Sequence, residues 1–196
     1  MVGGNMDLAA QIERLAQILA RNEALYRVIV QASGLGLKNY YIGAGCIAQT
    51  VWNDLSGLPL AHGISDIDFV YYDDSDLSSG AEAETVRRIA ARIGPCGIKL
   101  DIKNEARVHL WYKEHFGYEI KPYESIEHAI NTWPTTATAV GVRLEDSALK
   151  VYAPFGLDDL FGMIVRANKA QITEEIYLRK VQKWSAKWPE LTIIPW

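Results

Sequence analysis

The sequence predicts an α/β unit with helical additions, and three observations predict it. Apolar residues recur at helical spacing through the first 34 positions. Two short runs, 67–72 and 98–104, read as strands with an amphipathic helix between them. Beyond position 105 helical patterns dominate again. The chain has 196 residues, with no internal repeat and no Pro/Gly/Ser-rich linker. That length suits one domain carrying a helical annex.

The elements follow in order. Leu8, Ile12, Leu15 and Leu19 predict a helix from Asp7 to Ala20, with Asp7 as its N-cap. Asn22 caps a second helix bearing Leu25, Val28 and Ile29, which ends at Gly34. Residues 39–45 (NYYIGAG) read as a strand entering a glycine turn, and Cys46 to Asn53 as a short helix. Residues 55–63 are a loop by their Gly and Pro content. After the strand Ile67 to Tyr72 comes a polar loop, 73–80. A helix from Ala81 to Ile93 follows, with Val86, Ile89 and Ile93 on one face. Residues 98–104 (IKLDIKN) alternate apolar and polar, the pattern of a half-buried strand. Helices are expected at Ala106 to Phe116 and Ser125 to Trp133, and a hairpin at 136–144 with 148–154. A helix is expected after Gly156 along LDDLFGMIVRAN, and a last one from Thr173 to Trp188 with Thr173 as its cap.

Composition narrows the function. Net charge is −4, with no concentrated Lys/Arg block, which argues against sequence-independent grip on a nucleic-acid backbone. The two cysteines, Cys46 and Cys96, have no metal or redox spacing and read as reduced thiols of a cytoplasmic protein. No apolar run approaches the ~20 residues of a membrane span, and the opening MVGGNMDLAA lacks the order of a signal peptide.

The chemistry concentrates in three places. In SDIDFVYYD (65–73), Asp66 and Asp68 stand two apart, so on a strand both carboxylates leave the same face. Two acids on one face repel unless a cation lies between them. The pair therefore points to a divalent metal and phosphate chemistry. The second place is the turn Gly43-Ala44-Gly45-Cys46. Its glycines admit close backbone approach, and the helix after it offers free N–H groups to a phosphate. The third is Asp101, centred in its strand, which a helical crossover could return beside the first acids.

The order of a glycine turn, Asp-x-Asp and then a lone Asp between apolar residues resembles the nucleotidyltransferase fold shared by DNA polymerase β and antibiotic adenylyltransferases. It is more closely similar to a bacterial family of nucleotidyltransferase-like proteins. The resemblance runs from about Tyr40 to Asn168 through GAGCIAQTVWN, SDIDFVYYD, LDIKNEARVHLWY and APFGLDDLFGMIVRAN. It implies a small mixed sheet, N-terminal helices over 1–36, a catalytic sheet core over 37–104 and a helical and hairpin part over 105–196, all in one domain. It also implies an Mg²⁺-dependent (or Mn²⁺-dependent) two-metal transfer of a nucleoside monophosphate from an NTP to a hydroxyl of a small-molecule or protein acceptor. Asp66, Asp68 and Asp101 would hold the metals, Asp101 would serve the acceptor hydroxyl, and the turn Gly43 to Cys46 would contact the triphosphate. The chain carries Cys46 after Gly45 where the superfamily pattern has Gly or Ser. The turn-to-acid spacing is also lengthened by GLPLAHG, a lid, a substrate wall or a surface insertion.

Plainer roles stand beside these. Asp66 could cap a turn with Ser65, and Asp101 could lie on an exposed strand face. Cys46 suits packing better than nucleophilic attack. Arg107 could reach a phosphate or serve as a capping or ion-pairing residue. By strand parity Lys99 and Lys103 share the face of Asp101 as charge partners. His62 reads as a loop residue, Asp158 and Asp159 as first-turn acids of a helix. Trp111, Trp133, Trp184 and Trp188 read as packing anchors. The competing function is a non-catalytic nucleotide-binding or interaction protein of the same fold. A haloacid-dehalogenase-type phosphatase fits poorly, because the apolar run follows the acids rather than preceding them. Sugar transfer would leave the turn and Asp101 idle.

Overall fold

The computed structural model describes residues 7–196; residues 1–6, part of the opening stretch considered above for a signal peptide, lie outside the described residues. Two helices open the chain. α1 (Leu8–Arg21) starts where the Asp7 side chain accepts the Ala10 N–H. α2 (Glu23–Ser33) starts where Asn22 accepts the Leu25 N–H. Both caps use a short polar side chain to satisfy a free N–H of the first turn.

β1 (Tyr40–Gly43) leads into α3 (Gly45–Leu55), and β2 (Asp66–Tyr71) into α4 (Ser79–Ile93). β3 (Lys99–Asn104) continues through a 3₁₀ turn (Glu105–Arg107) into α5 (Val108–Phe116), and α6 (Ile126–Ile130) follows. The hairpin is β4 (Gly141–Glu145) and β5 (Ala148–Tyr152). These five strands form one mixed sheet in the order β3-β2-β1-β4-β5. β2 and β3 are parallel, as the crossover through α4 demands, and the other pairs are antiparallel. The hairpin thus belongs to the sheet that holds the acids, so the sheet does not end at residue 104.

Strand parity divides the sheet into two faces. Tyr40, Ile42, Ile67, Phe69, Tyr71 and Val142 face the large core with Leu15, Leu19, Leu25, Ile29 and Trp52 of the first three helices. On the other face Tyr41 and Val70 pack on Ile126 and Ile130 of α6. Asp66, Asp68 and Gly43 share that second face by parity, so the acids lie beneath the C-terminal half of the chain.

Three expectations change. Residues 136–140 form no strand; Thr135 and Thr138 hydroxyls bond each other and the local backbone in a turn, and the ladder begins at Gly141. The segment after Gly156 yields only α7 (Asp158–Phe161). The chain turns at Gly162 and at Met163, whose φ is 53°. The β-branched pair Ile164–Val165 then forms β6, parallel to β7 (Thr192–Ile193), an element the sequence reading missed. The last helix, α8 (Glu174–Ser185), is capped by Thr173 as expected but ends before Trp188. Among the described residues no helix is long and apolar enough to cross a membrane.

Candidate active site

The site is assembled by register. Gly43 pairs with Asp68 across β1 and β2, and Asp68 pairs with Asp101 across β2 and β3. Asp66 precedes them on the same face, opposite Lys99. One row across three strands therefore brings the end of the glycine turn and two of the acids side by side, with the third acid one period away.

Gly43 is glycine for lack of room. A Cβ there would lie 2.5 Å from the Val140 carbonyl oxygen and 2.9 Å from the Trp133 ring. Ala44 turns the chain with φ 60° and ψ −134°, an unusual conformation for a residue with a side chain. It is anchored by its N–H to Val140 O at 3.0 Å. No side chain caps α3, in contrast to α1 and α2, so the first turn presents backbone N–H groups at the edge of the site. Gly45 is the first helical residue. The Cys46 thiol is turned into the core, 1% exposed, and donates to Gly43 O at 3.1 Å. Burial pushes its pKa well up, which leaves it a packed neutral thiol. Only the Cys46 backbone faces a ligand role; the side chain does not.

The acids are unequal. Burial pushes the Asp68 carboxyl up to about 6; Lys103 opposes this, Asp66 and Asp101 add to it, and Lys180 opposes it. Asp66 is half-buried and accepts the Ser65 hydroxyl at 3.1 Å. Asp101 accepts the Lys103 ammonium at 2.5 Å, the pairing that strand parity anticipates. Because Lys103 takes this oxygen, the acids do not form a ready-made cage. Among the described residues no three His, Cys, Asp or Glu side chains are placed to hold a metal ion.

Arg107 is not brought to the acids. Its guanidinium pairs with Glu82 of α4 and its Nε donates to Leu77 O at 2.9 Å, tying the β2–α4 loop to the end of β3. This is the ion-pairing role that stands beside phosphate binding in the sequence reading. Asp158 and Asp159 are likewise spent on structure: Asp158 accepts Gln11 at 2.7 Å, and Asp159 holds Arg166 and Thr136. The loop 55–63 is stitched down rather than free. Asn53 donates to Leu60 O and His62 O, and Lys187 donates to Gly63 O.

A cavity of about 260 Å³ runs from Ala44 and Asp68 beneath the sheet. Trp111 and Trp133 line it, where the sequence reading made them packing anchors; Trp184 and Trp188 do pack in the core, against Trp52. Two further charged residues line this cavity that sequence reasoning did not single out. Lys180 of α8 faces Asp68, and its pKa is lowered by burial against the pull of that acid. Glu105, in the turn after β3, is 6% exposed, and burial pushes it up to about 7. Glu105 repeats the two-residue spacing of Asp101 and Lys103, a signal open to sequence reading, although it begins the turn and lies outside β3. Lys180 was not, because nothing in a surface-patterned helix tells which lysine the tertiary fold turns inward.

The comparisons agree with this architecture. A solved structure described as the NMR structure of a protein that reveals a CCA-adding enzyme head domain superposes with a TM-score of 0.74. It covers 94% of this chain and 96% of its own, at 23% identity, which establishes a shared fold. No curated protein matches the sequence. Residues 30–193 match the family described as Nucleotidyltransferase, and with that match spanning most of its length, the chain belongs to the nucleotidyltransferase family.

Proposed function

We propose that this protein is an Mg²⁺-dependent nucleotidyltransferase that moves a nucleoside monophosphate from an NTP to a hydroxyl of a small-molecule or protein acceptor. The observation that carries the reading is the register Gly43–Asp68–Asp101, which sets two carboxylates beside an uncapped helix N-terminus. Such a terminus favours phosphate, through its N–H groups and its dipole.

The donor set fits the ion. Carboxylate oxygens without thiol or imidazole are the ligands of a hard divalent cation. Asp66 and Asp68 would hold it, and Asp101 would join when Lys103 is drawn away. When bound, Mg²⁺ (or Mn²⁺) supplies neutralisation of the phosphates and Lewis acidity at the reacting oxygen. The chain's own groups do the rest. The first N–H groups of α3 and the Lys180 ammonium receive phosphate oxygens. Asp101 orients the acceptor hydroxyl and accepts its proton as the new oxygen–α-phosphorus bond forms. The bond from the α-phosphorus to the bridging oxygen breaks, and pyrophosphate leaves. Lys103 is placed to follow the developing negative charge.

One observation favours a second reading, a non-catalytic nucleotide-binding or interaction protein: the Lys103 ammonium already neutralises Asp101. Calorimetric titration with non-hydrolysable ATP and GTP analogues plus Mg²⁺ is the test, comparing wild type with Asp66→Ala/Asp68→Ala. Metal-dependent binding lost in the double variant supports a working triphosphate site. A cellular phenotype that survives Asp68→Asn assigns the protein to the non-catalytic reading.

A further inference from the structure

The cavity beneath the sheet is polarised in a way that phosphoryl chemistry alone does not require. Beside Asp68 stand two ammonium groups, Lys103 and Lys180. Just past the end of β3, at the first residue of the 3₁₀ turn, comes Glu105, within about 13 Å of Asp101 by extended-chain reach. Glu105 lines the cavity at 6% exposure. Among the described residues it accepts no hydrogen bond and forms no ion pair; its nearest electrostatic influences are Lys103 and Asp68. Its oxygens open onto the cavity rather than being sealed in protein, so they can accept from a ligand there. The walls are aromatic, with Trp111 and Trp133 exposed to the cavity.

A matching ligand is anionic at one end, flat and aromatic along its body, and rich in N–H donors at the other end. A free organic amine would satisfy Glu105 only by settling among two lysines. A nucleoside triphosphate has the required polarity throughout. Among the bases, guanine alone carries two adjacent donors, N1–H and the exocyclic amine, on its Watson–Crick edge. Adenine and cytosine place a ring acceptor beside their amine, which the ionised Glu105 carboxylate, the form present above about pH 7, cannot meet because it only accepts. Uracil flanks its single donor with two carbonyls.

We propose that this cavity is a guanine pocket, with the base between Trp111 and Trp133 and Glu105 accepting both edge donors. The assignment rests on the nucleotidyl-transfer reading above and names its donor nucleotide as GTP. The charge-assisted, two-point contact is of the kind that discriminates bases most strongly.

The test is calorimetric titration of the full chain at pH 8, where the Glu105 carboxyl is ionised, with non-hydrolysable GTP and ATP analogues in Mg²⁺, using wild type and Glu105→Gln. Denaturant unfolding of the variant confirms its fold. The wild type is expected to bind the GTP analogue at least about tenfold more tightly than the ATP analogue. In Glu105→Gln that ratio falls to near one, because the amide turns a donor toward N1–H. Equal or tighter binding of the ATP analogue by wild type overturns the base assignment alone, as does a GTP preference untouched by the substitution. Binding of neither analogue overturns the nucleotidyl-transfer reading and the base assignment with it.

Discussion

Replacing Glu105 by Gln is expected to stabilise the protein at alkaline pH. The carboxyl rises from an ordinary 4.5 to about 7 because burial penalises its charged form, with Lys103 opposing and Asp68 adding to the effect. Below pH 4.5 it is protonated in both folded and unfolded chains, and its contribution is fully retained. As pH climbs from 4.5 to 7 the unfolded chain ionises while the folded one holds its proton, so stability falls by about 1.4 kcal/mol per pH unit. Above 7 the loss levels off at about 3 kcal/mol. Gln keeps the shape of the neutral carboxyl and does not titrate. Urea unfolding of both proteins at pH 5 and pH 8 isolates the effect, since every other titration is common to the two. The stability difference should move by about 2.5 kcal/mol in favour of Gln between those conditions. A difference that stays constant with pH would mean that Glu105 has water or a cation beside it when folded, and the cavity argument would lose its anchor.

Other substitutions test other parts of the site. Asp68→Asn removes a carboxyl raised from 3.8 to about 6; it should gain about 2 to 3 kcal/mol at pH 8 while nucleotidyl transfer disappears, and a loss of stability at that pH would contradict the burial argument. Gly43→Ala drives a Cβ to 2.5 Å from Val140 O, so its melting temperature should fall by the equivalent of about 1–3 kcal/mol. Arg107→Met should lower thermal stability through the lost Glu82 and Leu77 contacts and leave nucleotide affinity within about twofold of wild type. A larger affinity loss would return Arg107 to the binding site. Asn53→Ala strips partners from Leu60 O, His62 O and the Trp188 Nε1 at once; denaturant melts should register about 2–4 kcal/mol, with earlier proteolysis within 55–63.

Local signals made most of the fold legible. Asp7, Asn22 and Thr173 cap helices where short polar residues precede an apolar periodic run. β2 and β3 follow from their residue patterns, and the α4 crossover makes them parallel. What the sequence concealed depends on long-range geometry. The fate of 136–140 is decided by a Thr135–Thr138 hydroxyl pair that competes with strand pairing. α7 stops early because Met163 adopts positive φ, which no propensity of methionine announces. In the site, parity placed Asp66, Asp68, Asp101 and Lys103 on one face. The ion pair of Arg107 was open as one of two roles, but its partner Glu82 was not legible because it lies on another element. Lys180 was invisible because α8 reaches the acids only after the whole chain has folded.

The alternation along β3 explains why the site is poised rather than closed. Asp101 and Lys103 on β3, with Glu105 at the start of the turn after it, set charges of sign minus, plus and minus two residues apart. One ammonium cannot satisfy both acids, and Lys103 takes Asp101 at 2.5 Å, in the less buried position. Glu105 is then left without a donor where desolvation is greatest, and it holds a proton to about pH 7. A cation reaching Asp66 and Asp68 would compete with Lys103 for Asp101 and free the ammonium for phosphate. A ligand edge reaching Glu105 would supply the donors the cavity lacks. On the proposed reading both happen together when a nucleotide arrives with its metal: each end of the ligand meets a charge that the protein's own groups leave badly matched. That makes substrate binding, rather than the resting fold, the event that completes the electrostatics of the site.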